Sequence, residues 1–470
     1  MLEFSKLQKI YFFTGVIISA LLVFFIPILS DPLLHMFFAI RLVEEGGLYD
    51  RWVEVMPPTI YLIYSIPVFL HKISYLSYDI SLNLFSLFVA LYSLLLVKNA
   101  FNDSNEELLK LKQPILYSLL LCFFILPVCT FATNDREALF LTMCYPWIVC
   151  HLLGLKKSFP IILLASIGFM IKQYNLLYPA LLILLSDRFD KNYLKMLFDK
   201  DNLKLYALIL LQFVIHFIYF PKYYTEILPL LLIGYKSYYG LGLYKYLYSA
   251  IIFAILLYYL HKIECLKHYI WKFGALLLAG FLCLVLNGDV SYNSVHIYAP
   301  ALLGCFLIMF YIKDVSTSYT FLILTNVVVF ISICVSVVNL AMNDDIFDKF
   351  LDLKEDRYFF EAQTKYAEKP YIMLAVNVWG FTPRTLYQKP THAFAVDHLW
   401  MLPWLANNLQ NPKSEIVKKY LRKKLIEALK RSKNMNLLLY NVAGLKKIPK
   451  SFDMMEFLKK DLKLEKHLKS

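Results

Sequence analysis

The chain has 470 residues, 59% of them hydrophobic and only 18% charged, and its mean hydropathy of +0.56 excludes an ordinary water-soluble globular protein of this length and makes lipid its solvent. The formal net charge of +13 does not point to nucleic acid, because the lysines and arginines fall mostly in short loops between apolar runs and in the C-terminal region, as they do along membrane surfaces. The eight cysteines lie in or beside apolar runs without metal-ligand spacing, which speaks against a disulfide framework or a zinc site.

Taken in chain order, apolar runs predict membrane spans at 10–29, 78–97, 114–132, 138–154, 159–171, 174–186, 205–221, 246–260, 273–286, 296–312 and 318–341. The first follows Lys6 and Lys9 like a signal peptide. It is span-length and no small-residue cleavage site follows, so it reads as a retained helix. The run 58–71 contains Pro67 and reaches only ~21 Å at 1.5 Å per residue, which predicts a helix on the membrane surface rather than a crossing. The fold class is therefore mainly α: a polytopic transmembrane helical bundle of about 11 spans, with juxtamembrane helices in a first outer loop (30–77). A transmembrane domain covers 1–343. From 344 to 470 the polar, mixed sequence, with strand-like runs Tyr371–Val378 and Met435–Val442 around a basic amphipathic helix near Ser414–Arg431, predicts a small soluble α/β domain.

With 58–71 not crossing, the positive-inside rule is satisfied. One set of loops carries Lys98, Lys110, Lys112, Lys156, Lys157, Arg188, Lys191, Lys195, Lys200, Lys204, Lys262 and Lys267, and the other set carries fewer cations. This topology puts Asp31, Asn134 to Glu137, Lys172-Gln173, Pro221 to Tyr239, Asn287 to His296 and the C-terminal domain on the same, extracytoplasmic side.

Several outer residues invite both a structural and a chemical reading. Asp31-Pro32 suits a helix N-cap followed by proline at the first helical position, while a carboxylate there can also accept a proton from a nucleophile. Asp135 and Glu137 suit the first turn of a helix, and Arg136 beside them can pair with a phosphate. Lys172 interrupts the apolar stretch 159–186, where a lysine either snorkels or meets a lipid-borne phosphate. His296 either packs or contacts phosphate or sugar.

The first loop, with Asp31 after the first span, then Gly46-Gly47-Leu48-Tyr49 and Pro57-Pro58, resembles that of the GT-C class of membrane glycosyltransferases. This class includes protein mannosyltransferases and the lipid A aminoarabinose transferase. Asn134-Asp135-Arg136-Glu137 resembles the Gly-Gln-Arg-Glu-His stretch of a bacterial branch of that class, matching at Arg136 and Glu137. Ile171-Lys172-Gln173-Tyr174 resembles its Leu-Lys-Pro-Tyr, Pro221 to Tyr235 its Pro-x-Tyr segment, Tyr292-His296-Pro300 its Tyr-His-x-x-Pro, and Trp400 to Pro403 its Trp-x-Leu-Pro.

The resemblance implies an inverting transferase that moves a sugar from a polyprenyl-phosphate donor to a lipid, glycan or protein acceptor, at the outer face of the cytoplasmic (inner) membrane. Asp31 is then the base, Asp135, Glu137 and Tyr49 bind acceptor or sugar, and Lys172, Arg136 and His296 bind the lipid phosphate. No cofactor is assigned, a divalent metal is left open, membrane lipids are partners and nucleic acid is not. The competing readings are a flippase or transporter, and a polymerase or ligase, of lipid-linked glycans.

Overall fold

The computed structural model describes residues 17, 30–49, 54–102, 104–129, 134–185, 197–234, 243–287, 293, 295–311, 371–374, 399–431, 436–439 and 448–465. The expected spans 10–29 and 318–341 lie, apart from Ile17, outside these residues, as do Tyr292, Tyr235 and Asp397-His398. The fold is mainly helical. Among the described residues three stretches are long and apolar enough to cross a membrane: Tyr78–Ala100, Leu108–Ile125 and Lys200–Tyr219.

The chain divides into two compact units. The first takes Leu70–Val214 and Leu241–Met342 together with the N-terminal segment; the second takes Ser30–Phe69, Ile215–Gly240 and Asn343–Ser470.

In the second unit, α1 (Ser30–Glu45) closes as expected at Gly46-Gly47, both at positive φ, a conformation that costs glycine little. Asp31 falls in the first turn of α1, not at its cap, because the helix begins at Ser30. There it complements the helix dipole. The next helix, α2 (Pro58–Ser74), has 17 residues, three more than the run 58–71 predicted, and so is about 25 Å long. The extra residues, Lys72 to Ser74, include a charged and a hydroxyl side chain, which an apolar-run criterion discards. Leu62, Ile66, Phe69 and Ile73 are exposed along one stripe of α2 while Tyr61, Tyr64 and Val68 are buried on the other.

In the first unit, α3 (Tyr78–Ala100) is capped by Ser77. The helix α4 (Glu106–Leu120) is capped by Asn105 and continues through a π-helical turn, Leu121–Ile125, into Leu126–Cys129. A helical hairpin follows: α5 (Arg136–Leu153), closed by Gly154 in the left-handed conformation, and α6 (Phe159–Phe169). After a 3₁₀ turn at Gln173–Leu176, α7 (Leu177–Leu185) returns alongside α5. Next come α8 (Lys200–Tyr219), α10 (Leu243–Lys262), α11 (Ile270–Asn287) and α12 (Val295–Tyr311). Between α8 and α10, in the second unit, a π-helical turn at Tyr223–Ile227 leads into α9 (Leu228–Gly234).

In the first unit α5 packs on α3 and α6, α7 on α11, and α12 on α4 and α11. Trp147, Phe140, Tyr145, Phe169 and Phe273 belong to its hydrophobic core. The outside is apolar too. Leu84, Phe88, Leu91 and Leu95 form an exposed stripe on α3, and Leu210, Leu211, Val214, Phe217 and Ile218 are exposed on α8. Such continuous exposed hydrocarbon is unfavourable in water and suits lipid.

Near the C-terminus, β1 (Tyr371–Leu374) and β2 (Asn436–Leu439) pair in parallel, Tyr371 opposite Asn436, each within the run expected to be extended. Between them in sequence lie α13 (Leu402–Asn407) and α14 (Ser414–Arg431). A final short helix α15 (Met454–Glu456) passes into a π-helical turn, Phe457–Asp461. Lys418 ties α14 to that turn through Asp461, 3.1 Å away.

Candidate functional site

The direction of each helix in the first unit follows from who touches whom. Cys144 Sγ donates to the Ala165 carbonyl, and Lys172 pairs with Glu137, so α6 runs antiparallel to α5. His151 Nε2 reaches the Leu182 carbonyl at 3.3 Å and the Phe140 ring lies tilted against Tyr178, 4.9 Å between centroids, so α7 runs back beside α5. Close packing of the hairpin depends on Gly168, where a Cβ would lie 2.5 Å from Cys144 Sγ and 2.8 Å from Met143 Cβ. The α6–α7 turn therefore sits beside the start of α5.

Three further chain segments meet at that end. Asn134, held at φ 59°, hydrogen-bonds through its amide to Asn83 near the start of α3; asparagine tolerates this left-handed geometry better than most residues. Asp135 caps α5, its carboxylate accepting from the Arg136 amide at 2.7 Å. Cys283, near the end of α11, donates to the Tyr174 carbonyl. At the start of α12, His296 Nδ1 shares a 3.0 Å hydrogen bond with the Tyr178 hydroxyl. The segments expected on one side of the membrane, Asn134–Glu137, Lys172-Gln173 and the start of 296–312, are thus at one end of this unit.

The polar cluster formed there is buried. Asp135, Arg136, Glu137, Lys172, Asn175 and His296 are all 5% exposed or less. Glu137 Oε1 accepts from Lys172 Nζ and lies 3.4 Å from Arg136 Nε. Lys172, with extended backbone at φ −140° and ψ 132°, marks where the helix breaks, and its ammonium lies 5.3 Å from the Tyr174 ring centre. Tyr174 and Phe140 in turn flank His296, at 6.4 and 5.1 Å between ring centres. Two acids and two bases make the formal charge of Asp135, Arg136, Glu137 and Lys172 zero. Among the described residues no group of histidine, cysteine and carboxylate side chains is arranged to hold a metal ion.

Asp31 and Tyr49 belong to the second unit. Asp31 is partly exposed in the first turn of α1. Tyr49 is fully buried at φ 65°. Its hydroxyl donates to the Met56 carbonyl, and its own carbonyl accepts from Lys424 Nζ of α14 at 3.4 Å. Its ring lies 5.2 Å from that of Tyr223 and 6.2 Å from that of Phe220. Burial, and then the neighbouring Tyr223, push its hydroxyl pKa well above the ordinary tyrosine value, so it stays a donor. Tyr49 is thereby a knot joining the first loop, the segment after α8 and α14, which is a structural task for a residue assigned from sequence to sugar. Lys423 lies 3.8 Å from Glu226 beside it, and Thr59 Oγ1 lies 3.1 Å from His216 Nε2. Trp400-Met401 of the Trp-x-Leu-Pro element packs against Gly234.

Sequence reasoning passed over Asn83, Asn175, Tyr178 and Lys424. The two asparagines and Tyr178 sit in or beside apolar runs, where a polar group needs a partner and so carries a signal. Lys424 has no such signal, being one cation in a run of them. No protein-family model, curated protein or solved structure matches the chain.

Proposed function

We propose that the protein is an inverting, polyprenyl-phosphate-sugar-dependent glycosyltransferase of the membrane, with the polytopic GT-C-like architecture that its motifs resemble. The observation that carries this reading is the convergence, at one end of the first unit, of Asn134–Glu137, the Lys172 turn and His296. These are separate motifs that the charge-based topology puts on one side of the bilayer, and they share one buried cluster. A second support is that the first loop, the segment after α8 and the C-terminal elements, all expected outside, group together in the second unit.

In this reading the donor enters laterally from lipid, and its head group is received by the cluster around Glu137 and Lys172. The acceptor oxygen bonds to the anomeric carbon as the bond from that carbon to the phosphate oxygen breaks. The phosphate departs with the electron pair, and the acceptor's proton passes to a general base, the role that the sequence resemblance gives Asp31. Attack opposite the leaving group inverts the anomeric centre. A lipid-linked donor is favoured over a soluble nucleotide sugar because the topology read from the loop charges puts the candidate residues away from the cytosol. The acceptor is a lipid, a glycan or a protein. The C-terminal elements have an accessory role, with exposed Lys419, Arg422 and Lys423 on α14 suiting an anionic acceptor.

The test is release of free polyprenyl phosphate from a panel of polyprenyl-phosphate sugars by the purified protein in the presence of envelope acceptors. Asp31→Asn should abolish release while the protein stays folded and inserted. Release unchanged in that variant removes Asp31 as base, and no release by the wild type from any donor removes the transferase reading. A flippase is the runner-up, favoured by the broken helix at Lys172, because transporters build midplane sites from discontinuous helices. It would move the lipid-linked sugar across the bilayer without cleaving it.

A further inference from the structure

We propose that the buried cluster at the start of α5 holds the neutral, hydroxylated sugar ring of the donor rather than its lipid phosphate, with Asn175 as a ring-binding residue. This deepens, and rests on, the lipid-linked-sugar reading above. It withdraws the phosphate-binding roles that the sequence suggested for Lys172 and Arg136.

Charge carries the first half of the argument. A phosphate needs uncompensated positive potential, from cations or from a helix N-terminus. Here the N-terminus of α5 is already occupied by the Asp135 cap and by Glu137 in its first turn, and Lys172 and Arg136 both lie against Glu137. Among the described residues the four charges sum to zero, so an anion added to them would be buried without a counter-charge, which is unfavourable.

Hydrogen bonding carries the second half. Three buried side chains from three elements have polar atoms without a hydrogen-bond partner among the described residues: Glu137 Oε2, both amide atoms of Asn175, and His296 Nε2. Together they offer a carboxylate acceptor, an amide that both donates and accepts, and an imidazole nitrogen. Hydroxyl groups, each both donor and acceptor, satisfy such a set; phosphate oxygens, which only accept, do not satisfy the carboxylate. Phe140 and Tyr174, both close to the His296 ring, supply the apolar surface that the C–H face of a pyranose or furanose ring packs against. Burying such atoms unsatisfied is costly, and a ring carrying several hydroxyls would recover much of that cost.

The experiment measures binding of two probes to the full-length protein in lipid nanodiscs: a polyprenyl phosphate without sugar, and the same lipid carrying the monosaccharide that binds best from a hexose and pentose panel. Asn175→Ala should weaken the sugar-bearing probe about five- to tenfold, the loss of one or two hydrogen bonds, and leave the bare lipid within about twofold. Retained binding of the bare lipid also shows that the variant is folded. If Asn175→Ala does not accumulate as folded protein, His296→Gln gives the same comparison. Equal weakening of both probes returns the cluster to the phosphate and overturns the inference while leaving the donor class intact. Unchanged affinity for both probes also overturns it. Wild-type protein that binds neither probe overturns the lipid-linked-sugar reading itself.

Discussion

Two glycines six residues apart on α11 provide a direct test of how closely the helices approach at the candidate site. At Gly280 a Cβ would stand 2.1 Å from the His296 carbonyl oxygen and 3.3 Å from the Tyr178 hydroxyl, whereas at Gly274 nothing lies within 4 Å. Ordinary van der Waals contact at about 3.4 Å would require the start of α12 to retreat by ~1.3 Å. The obstructing atom is backbone and cannot rotate away, so overpacking of this kind should cost about 1–3 kcal/mol. Helix propensity works the other way, alanine being favoured over an interior glycine by ~0.5–1 kcal/mol. Gly280→Ala should therefore lower the midpoint of thermal unfolding in detergent by several degrees and weaken donor binding, since His296 moves with α12. Gly274→Ala should be neutral or stabilising. If the two substitutions behave alike, α11 and α12 are not in this contact and the placement of His296 beside Tyr178 is wrong.

Other expected outcomes follow from the ion pair, the buried lysine and the topology. Removing one partner of the Lys172–Glu137 pair, as Lys172→Met or Glu137→Gln, should destabilise by about 3–5 kcal/mol because a charge is left buried. The double substitution should cost clearly less than the sum in a double-mutant cycle, and strict additivity would deny the pairing. Lys424 has a pKa held below the ordinary lysine value, chiefly by burial, with Glu226 and Glu427 opposing. Its unfolded state binds the proton more readily, so stability of the second unit should rise as pH increases from the depressed folded value towards about 10.5. Lys424→Met should flatten that rise in a pH series of unfolding curves, and an unaltered slope would show that another group titrates. Tyr75 is 92% exposed between α2 and α3, and Lys156 is exposed between α5 and α6, with three helices between the two positions. Tyr75→Cys should react with a membrane-impermeant maleimide in intact cells and Lys156→Cys only after permeabilisation; labelling of both from one side would break the topology.

The helices of the first unit were largely legible as apolar runs, because a chain in lipid must satisfy its backbone internally and can do so only as helices. Runs such as 138–154 and 273–286 lie within two or three residues of α5 and α11. The errors fall where an element is polar at its end. The last turn of α2 was missed, and the start of α4 at Glu106 lies eight residues before the run that announced it. The break at Lys172 was legible for the same reason in reverse, since a cation inside a long apolar stretch must end a helix, find a partner or reach water. Its partner was not. Glu137 is 35 residues away, and nothing in the local pattern of either residue names the other. Tyr49 and Lys424 are 375 residues apart, and the lysine stands in a run of cations whose members are indistinguishable in sequence.

The distinction matters for function, because sequence supplies residue types while chemistry depends on their sum. Read singly, Lys172 and Arg136 are cations and invite a phosphate. Read with Glu137 and Asp135 around them, they are half of a set of four whose formal charges cancel and whose helix N-terminus is already capped, and on the reading proposed above that set receives hydroxyl groups. A buried pair of this kind contributes little net stability over an apolar packing of the same volume. Retaining four charges and an asparagine at the end of an otherwise hydrocarbon bundle is therefore poorly accounted for by folding alone. A polar ligand that enters between the helices and completes their hydrogen bonds does account for it. That makes the differential loss of sugar-bearing over bare lipid in Asn175→Ala the measurement on which both the site and its chemistry turn.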